Sequence, residues 1–176
     1  MKDLMIDIET MGNTPNAVMI QLAAVFFDRK TGETGREFCK SLAIPSCESF
    51  GFTKDESTVK WWQEQNQDVL TKILSEGEDA LDVMNAFVDF IGKDIKNILV
   101  WSHATFDFPI VQNYLKTITA SYMPYRGARD IRTLVDLSGI DLDQYDWSNK
   151  THNALEDCKF QIKYCVDAIN MIVAQK

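Results

Sequence analysis

The chain has 176 residues, 45% of them hydrophobic and 25% charged, which suits one domain, 1–176, with a sizeable core. Its longest apolar run, Leu22 to Phe27, is far short of the roughly 18 residues a membrane span needs, so no membrane partner is expected. A formal net charge of −8 argues against a partner gripped by basic residues, unless part of that charge belongs to a cation site, where bound metal inverts the local sign.

Residues 3–9 read as a first strand. Residues 18–28 and 35–42 read as two more, joined by the turn "DRKTGE" as an antiparallel hairpin. Residues 45–54 read as irregular. "STVKWWQEQNQDVLTKIL" and "DALDVMNAFVDFIGKD" then carry helical spacing, each with an acidic or hydroxyl residue near its start. "NILVWS" reads as a short covered strand, and Thr105 to Leu115 as a helix. "YRGARD" reads as holding a last short strand, and Asp130 to Leu137 as a shorter helix.

The clearest helix is the last, where Leu155, Cys158, Ile162, Cys165, Val166, Ile169, Ile172 and Val173 form one i, i+3/i+4 stripe. The order predicts an α/β architecture, a mixed central sheet of about five strands flanked by helices. Acids close to the N-terminus and no apolar leader point to the cytoplasm. The four cysteines form no CxxC pair, and Cys158 and Cys165 read as small core residues.

"MIDIET", residues 5–10, places Asp7 and Glu9 on one face of the first strand, roughly 6.6 Å apart along the chain. On a covered face, two ionised carboxylates demand a positive partner: Arg, Lys, or hard divalent cations that prefer oxygen ligands. Two more acids occur at helix starts. Asp107, in "WSHATFDFPIV", falls in a first turn for which Thr105 is the expected N-cap. Asp157, in "THNALEDC", comes after Asn153 and beside Glu156, a pair patterned like a capping box. In open α/β sheets, ligands gather at strand ends and helix starts, so the four acids form a candidate two-cation site. His152, on the loop ahead of the last helix, is the general-base candidate.

These residues carry a family resemblance. "DIET", "FD" after a strand, and "HNALED" resemble, in order, the three motifs of the DEDDh 3′→5′ exonucleases, which have a ribonuclease H-like fold. "DIETMG", "STVKWWQEQ", "FDFPI", "RDIRT" and "HNALEDC" look like the phage exonuclease A type, and more loosely like a related mycobacterial exoribonuclease family. The resemblance spans residues 3 to about 170. It implies that Asp7, Glu9, Asp107 and Asp157 hold two Mg²⁺ or Mn²⁺ ions. It further implies that His152 accepts a proton from the attacking water or orients that water, while the pair of cations suits in-line displacement at a phosphodiester on physical grounds alone.

The implied substrate is the 3′ end of a single strand, with DNA favoured by the phage likeness and RNA the runner-up. The phage likeness would also place the chain in a bacterial host cell. A catalytically inactive binding module and a ribonuclease H-type endonuclease are the competing readings. Candidate substrate contacts are Thr10, Met11 and Gly12 after the first motif, with Phe106 and the tryptophan pair, Trp62 ahead of Trp61, as stacking surfaces. His103 joins them; several relatives place an asparagine there, four residues before the motif aspartate. Arg129 and Arg132 flank Asp130 and read equally as phosphate contacts or local ion pairs.

Overall fold

The computed structural model describes residues 2–92, 96–147 and 152–174. Strands β1 (Asp3–Thr10), β2 (Met19–Phe27) and β3 (Thr34–Ser41) pair antiparallel in succession. On the other side of β1, β4 (Leu99–Ser102) and β5 (Ala128–Asp130) add in parallel. The result is a mixed sheet in the order β3-β2-β1-β4-β5. Because β1, β4 and β5 run the same way, their C-terminal ends open on one edge, and the helices after β4 and β5 begin there. β5 joins this sheet through a close approach: a Cβ on Gly127 would lie 2.6 Å from the Ile98 carbonyl oxygen, so only glycine fits.

Alternation along β1 sorts its side chains between two cores. Leu4, Ile6 and Ile8 enter a large cluster with Phe87, Val111 and Tyr114. Met5 enters a second cluster with Trp101, Ile131, Cys158 and Ile162. The first lies under helices α1 (Ile44–Ser49), α2 (Glu56–Gln63), α3 (Gln67–Ser75), α4 (Ala80–Ile91) and α5 (Asp107–Tyr114), which runs on into a π turn at Leu115–Thr119. The second lies under α6 (Ile131–Ser138) and α7 (Ala154–Ala174). Asp7 and Glu9 share the parity of Met5, so they face α7 where the apolar pattern stops. Among the described residues no helix is long and apolar enough to cross a membrane.

Several expectations are corrected locally. Residues 45–54 are not irregular throughout: Pro45 starts the short α1, its fixed φ suiting the first helical turn. "STVKWWQEQNQDVLTKIL" is two helices, because the Asn66 side chain accepts from the N–H groups of Asp68 and Val69 and starts a new one. The next helix ends at Ile91, and Lys93 and Asp94 of its motif lie outside the described residues. Thr105 is not a cap. α5 begins at Asp107 after a turn closed on the His103 carbonyl by the N–H groups of Phe106 and Asp107. The stripe of α7 is buried from Cys158 through Val166, Leu155 is half-buried, and Val173 is 61% exposed. Cys158 and Cys165 are buried and free, in keeping with small core residues.

Candidate metal and nucleic-acid site

Three elements bring the four acids together. β1 presents Asp7 and Glu9 at its C-terminal end, α5 opens with Asp107, and the first turn of α7 carries Asp157; all four are buried. Asn153 caps α7 by accepting from Leu155 and Glu156 N–H groups at 3.2 Å. Glu156 itself turns to Lys159 at 3.5 Å. The Gln21 side chain, opposite Glu9 on β2, accepts the Ala154 N–H at 2.9 Å and so fixes the helix start beside the strand. Two groups result: Asp7 with His103 and Asp107, and Glu9 with His152 and Asp157. In each, candidate ligand atoms lie within 4.8 Å of one another.

Burial drives the electrostatics. The Asp7 carboxyl is pushed well above its ordinary range, first by loss of water and then by the charges of Asp107, Glu9 and Asp157. Only the Gln161 amide opposes this, donating from Nε2 to Asp7 Oδ1 at 2.6 Å. Asp107 is pushed up to about 7, again by burial, against a backbone hydrogen bond from His103 N–H at 2.9 Å and the charge of Arg132. Carboxylates held this close and this dry call for compensating positive charge, and their all-oxygen chemistry fits hard divalent cations. Gln161 Oε1 is buried with no partner, leaving an acceptor beside Asp7 for a bound group.

The site opens into a cleft of about 830 Å³. Its described lining includes Asp7, Glu9, Asp107, Asp136, Asp141, Asp143 and Asp157 but a single permanent cation, Arg132. The contacts around Asp130 bear on the ion-pair reading of Arg129. Asp130 accepts from Thr133 and from Ala104 N–H, Arg129 donates to the carbonyls of Arg126 and Ala128, and neither pairs with the other.

The expected substrate contacts divide. His103 and Phe106 line the cleft. Trp62 does not offer a stacking face; it is 1% exposed, and the indole with surface is Trp61, at 40%. Met11 lies in the core. Thr10 is buried and donates from Oγ1 to the Gly12 carbonyl at 2.6 Å. A Cβ at Gly12 would meet Ala17 Cβ at 3.2 Å, so the protein's own packing already favours glycine there. Gln161 is a site residue that the sequence patterns did not single out. Its signal was its spacing, four residues after Asp157 and therefore on the same helical face.

A family model described as the 3′-5′ exoribonuclease Rv2179c-like domain matches residues 2–169. The exodeoxyribonuclease of Enterobacteria phage T4 is 30% identical across 91% of this chain and 66% of its own length. Among solved structures, E. coli exonuclease I in complex with a dA16 oligonucleotide aligns with a TM-score of 0.64 and 16% identity. That alignment covers 92% of this chain and 39% of the other. A 3′-exonuclease solved in the context of histone mRNA stem-loop recognition aligns at 0.65 and 14% identity, over 96% and 81%. These structural likenesses show the fold, a ribonuclease H-like one. The chain spans just under two thirds of the phage relative and about two fifths of exonuclease I.

Proposed function

The chain belongs to the 3′-5′ exoribonuclease Rv2179c-like domain family, and on that premise we propose that it hydrolyses single-stranded nucleic acid from the 3′ end, releasing nucleoside 5′-monophosphates. The observation that carries the proposal is the meeting of Asp7 and Glu9 with Asp107 and Asp157 at one edge of the sheet, with two histidines beside them. DNA is the favoured substrate, after the name of the phage relative; RNA is the second reading, after the name of the family model. Action in the cytoplasm, of a bacterial host if the gene is a phage's, suits both.

Asp7, Glu9, Asp107 and Asp157 would hold two Mg²⁺ or Mn²⁺ ions. Bound there, these cations would acidify the attacking water and offset charge on the departing 3′ oxygen. His152, grouped with Glu9 and Asp157, takes the proton of the attacking water at an imidazole nitrogen. Phe106 and His103 wall the cleft where the terminal nucleotide lies, and Arg132 meets a phosphate oxygen. The acids exclude a bare phosphate backbone from the metal-free cleft, so substrate and cation binding are coupled.

The test is digestion of end-labelled single-stranded DNA and RNA oligonucleotides in Mg²⁺, Mn²⁺ or EDTA. The expected result is stepwise shortening from the 3′ end that EDTA abolishes. Shortening from the 5′ end, or activity undiminished in EDTA, overturns the proposal.

A further inference from the structure

The adjacent tryptophans of α2 have different surroundings. Trp62 is buried, and its indole N–H donates to the Thr10 carbonyl at 2.9 Å. Thr10 adjoins Glu9 at the end of β1, so this bond ties α2 to the strand that carries two of the four acids. Trp61 packs edge-on against Trp62, with ring centroids 5.1 Å apart. The His152 imidazole stands against both rings: 4.9 Å from Trp61 at 86°, and 6.0 Å from Trp62 at 74°.

The backbone of His152 adds a second observation. Its φ is 53°, in the left-handed region that residues with a β-carbon enter uncommonly, histidine more often than most. On its C-terminal side the chain is anchored at once, by the Asn153 cap and the Gln21 side chain at the start of α7. The ring itself meets the tryptophan pair, which rests on β1 through Trp62.

We propose that Trp61 is a positioning residue for His152: braced by Trp62, its indole holds the imidazole beside Glu9 and Asp157 in the orientation that cleavage uses. The inference rests on the reading of His152 as proton acceptor. It differs from the more obvious role of a surface indole, stacking on a substrate base. A stacking residue acts on substrate binding, whereas a positioning residue acts on turnover and only through the group it positions.

The test uses Trp61→Ala and Trp61→Phe in the full chain, alone and combined with His152→Ala. Trp61 is surface-exposed, and circular dichroism checks that each variant folds. Trp61→Ala should lower kcat roughly 10- to 100-fold with KM little changed, the size expected for a displaced catalytic group. Trp61→Phe should recover most of the loss. In the His152→Ala background Trp61→Ala should cost nothing further.

A second readout needs neither metal nor turnover. The chain has two histidines, so the His152 imidazole resonances are those that vanish in His152→Ala. Ring currents from the indoles should displace them, and Trp61→Ala should return them toward the free-imidazole position. A rise in KM with kcat preserved, an additive loss in the His152→Ala background, or unmoved resonances each overturns the proposal. If the wild-type chain cleaves no oligonucleotide, the proposed function falls, and the resonances alone decide whether Trp61 holds the ring.

Discussion

Gln161 on α7 donates its side-chain amide to Asp7 on β1 at 2.6 Å, across 154 residues of sequence. It is the one hydrogen bond found to lower the proton affinity of a carboxyl that burial and three neighbouring acids raise. Replacing Gln161 with Leu removes that donor while keeping an apolar group of similar size. Affinity for Mg²⁺ or Mn²⁺, measured by calorimetry, should fall on the order of 10- to 100-fold, the usual cost of losing a hydrogen bond to a ligating carboxylate. Unchanged affinity would mean that Asp7 needs no such support.

Asp7→Asn should separate stability from activity. The substitution keeps an acceptor for Gln161 and removes a carboxyl that burial and the charges of Asp107, Glu9 and Asp157 make costly to ionise. Cleavage should be lost. The metal-free protein should nonetheless gain roughly 1 kcal/mol, a rise in Tm of about 2–4 °C for a chain of this size. A lower Tm for the variant would show that Asp7 stabilises the metal-free fold.

Asp107 gives the metal-free protein a pH dependence of definite sign. Its carboxyl titrates near 7 when folded and near its ordinary value of about 3.9 when unfolded. A raised acid contributes stability fully present below the unfolded value and lost as pH rises through the folded one. In EDTA, Tm should therefore fall from about pH 4 to about pH 7 and level off above, and Asp107→Asn should flatten part of that fall, the raised Asp7 contributing in the same direction. Asp28, held low by the Lys30 N–H, and Asp79, held low by the Ser46 hydroxyl, change stability in the opposite sense and only at more acid pH. Saturating Mg²⁺ should restore the loss, because cation binding needs the same proton removed.

Arg132 is the single permanent cation described in the lining of an acidic cleft. Arg132→Gln should raise KM for oligonucleotides. It should also make the logarithmic salt dependence of binding shallower by about 0.7, the contribution of one phosphate contact on a single strand. Binding measured by anisotropy at several salt concentrations checks this. An unchanged slope would leave Arg132 acting only on Asp107, whose proton affinity its charge lowers.

The strands and the last helix were legible because their patterns are local. Alternation set the parity of β1, and an i, i+4 stripe marked α7. The break at Asn66 and the start of α5 were misplaced because side-chain and backbone hydrogen bonds over two or three residues outweigh a continuous apolar pattern. Trp62 was misjudged for a related reason. Two adjacent indoles on one helix have equal claims in sequence, and only the approach of Thr10 decides which is buried.

By itself the sequence singled out the candidate site residues: two acids at i and i+2 on a strand, two more near helix starts, and a histidine ahead of the last. The shared face of Asp7 and Glu9 comes from strand periodicity, and the other three come from their places at helix starts and from the motif resemblance. The tertiary structure decided how the five are grouped, with Asp7 joined to Asp107 and Glu9 joined to His152 and Asp157. It also brought in Gln161 and Trp61, which bear on the site from α7 and α2. Such neighbours are set by the parallel register of β1 with β4 and by the packing of helices across both sheet faces, contacts between segments far apart in the chain.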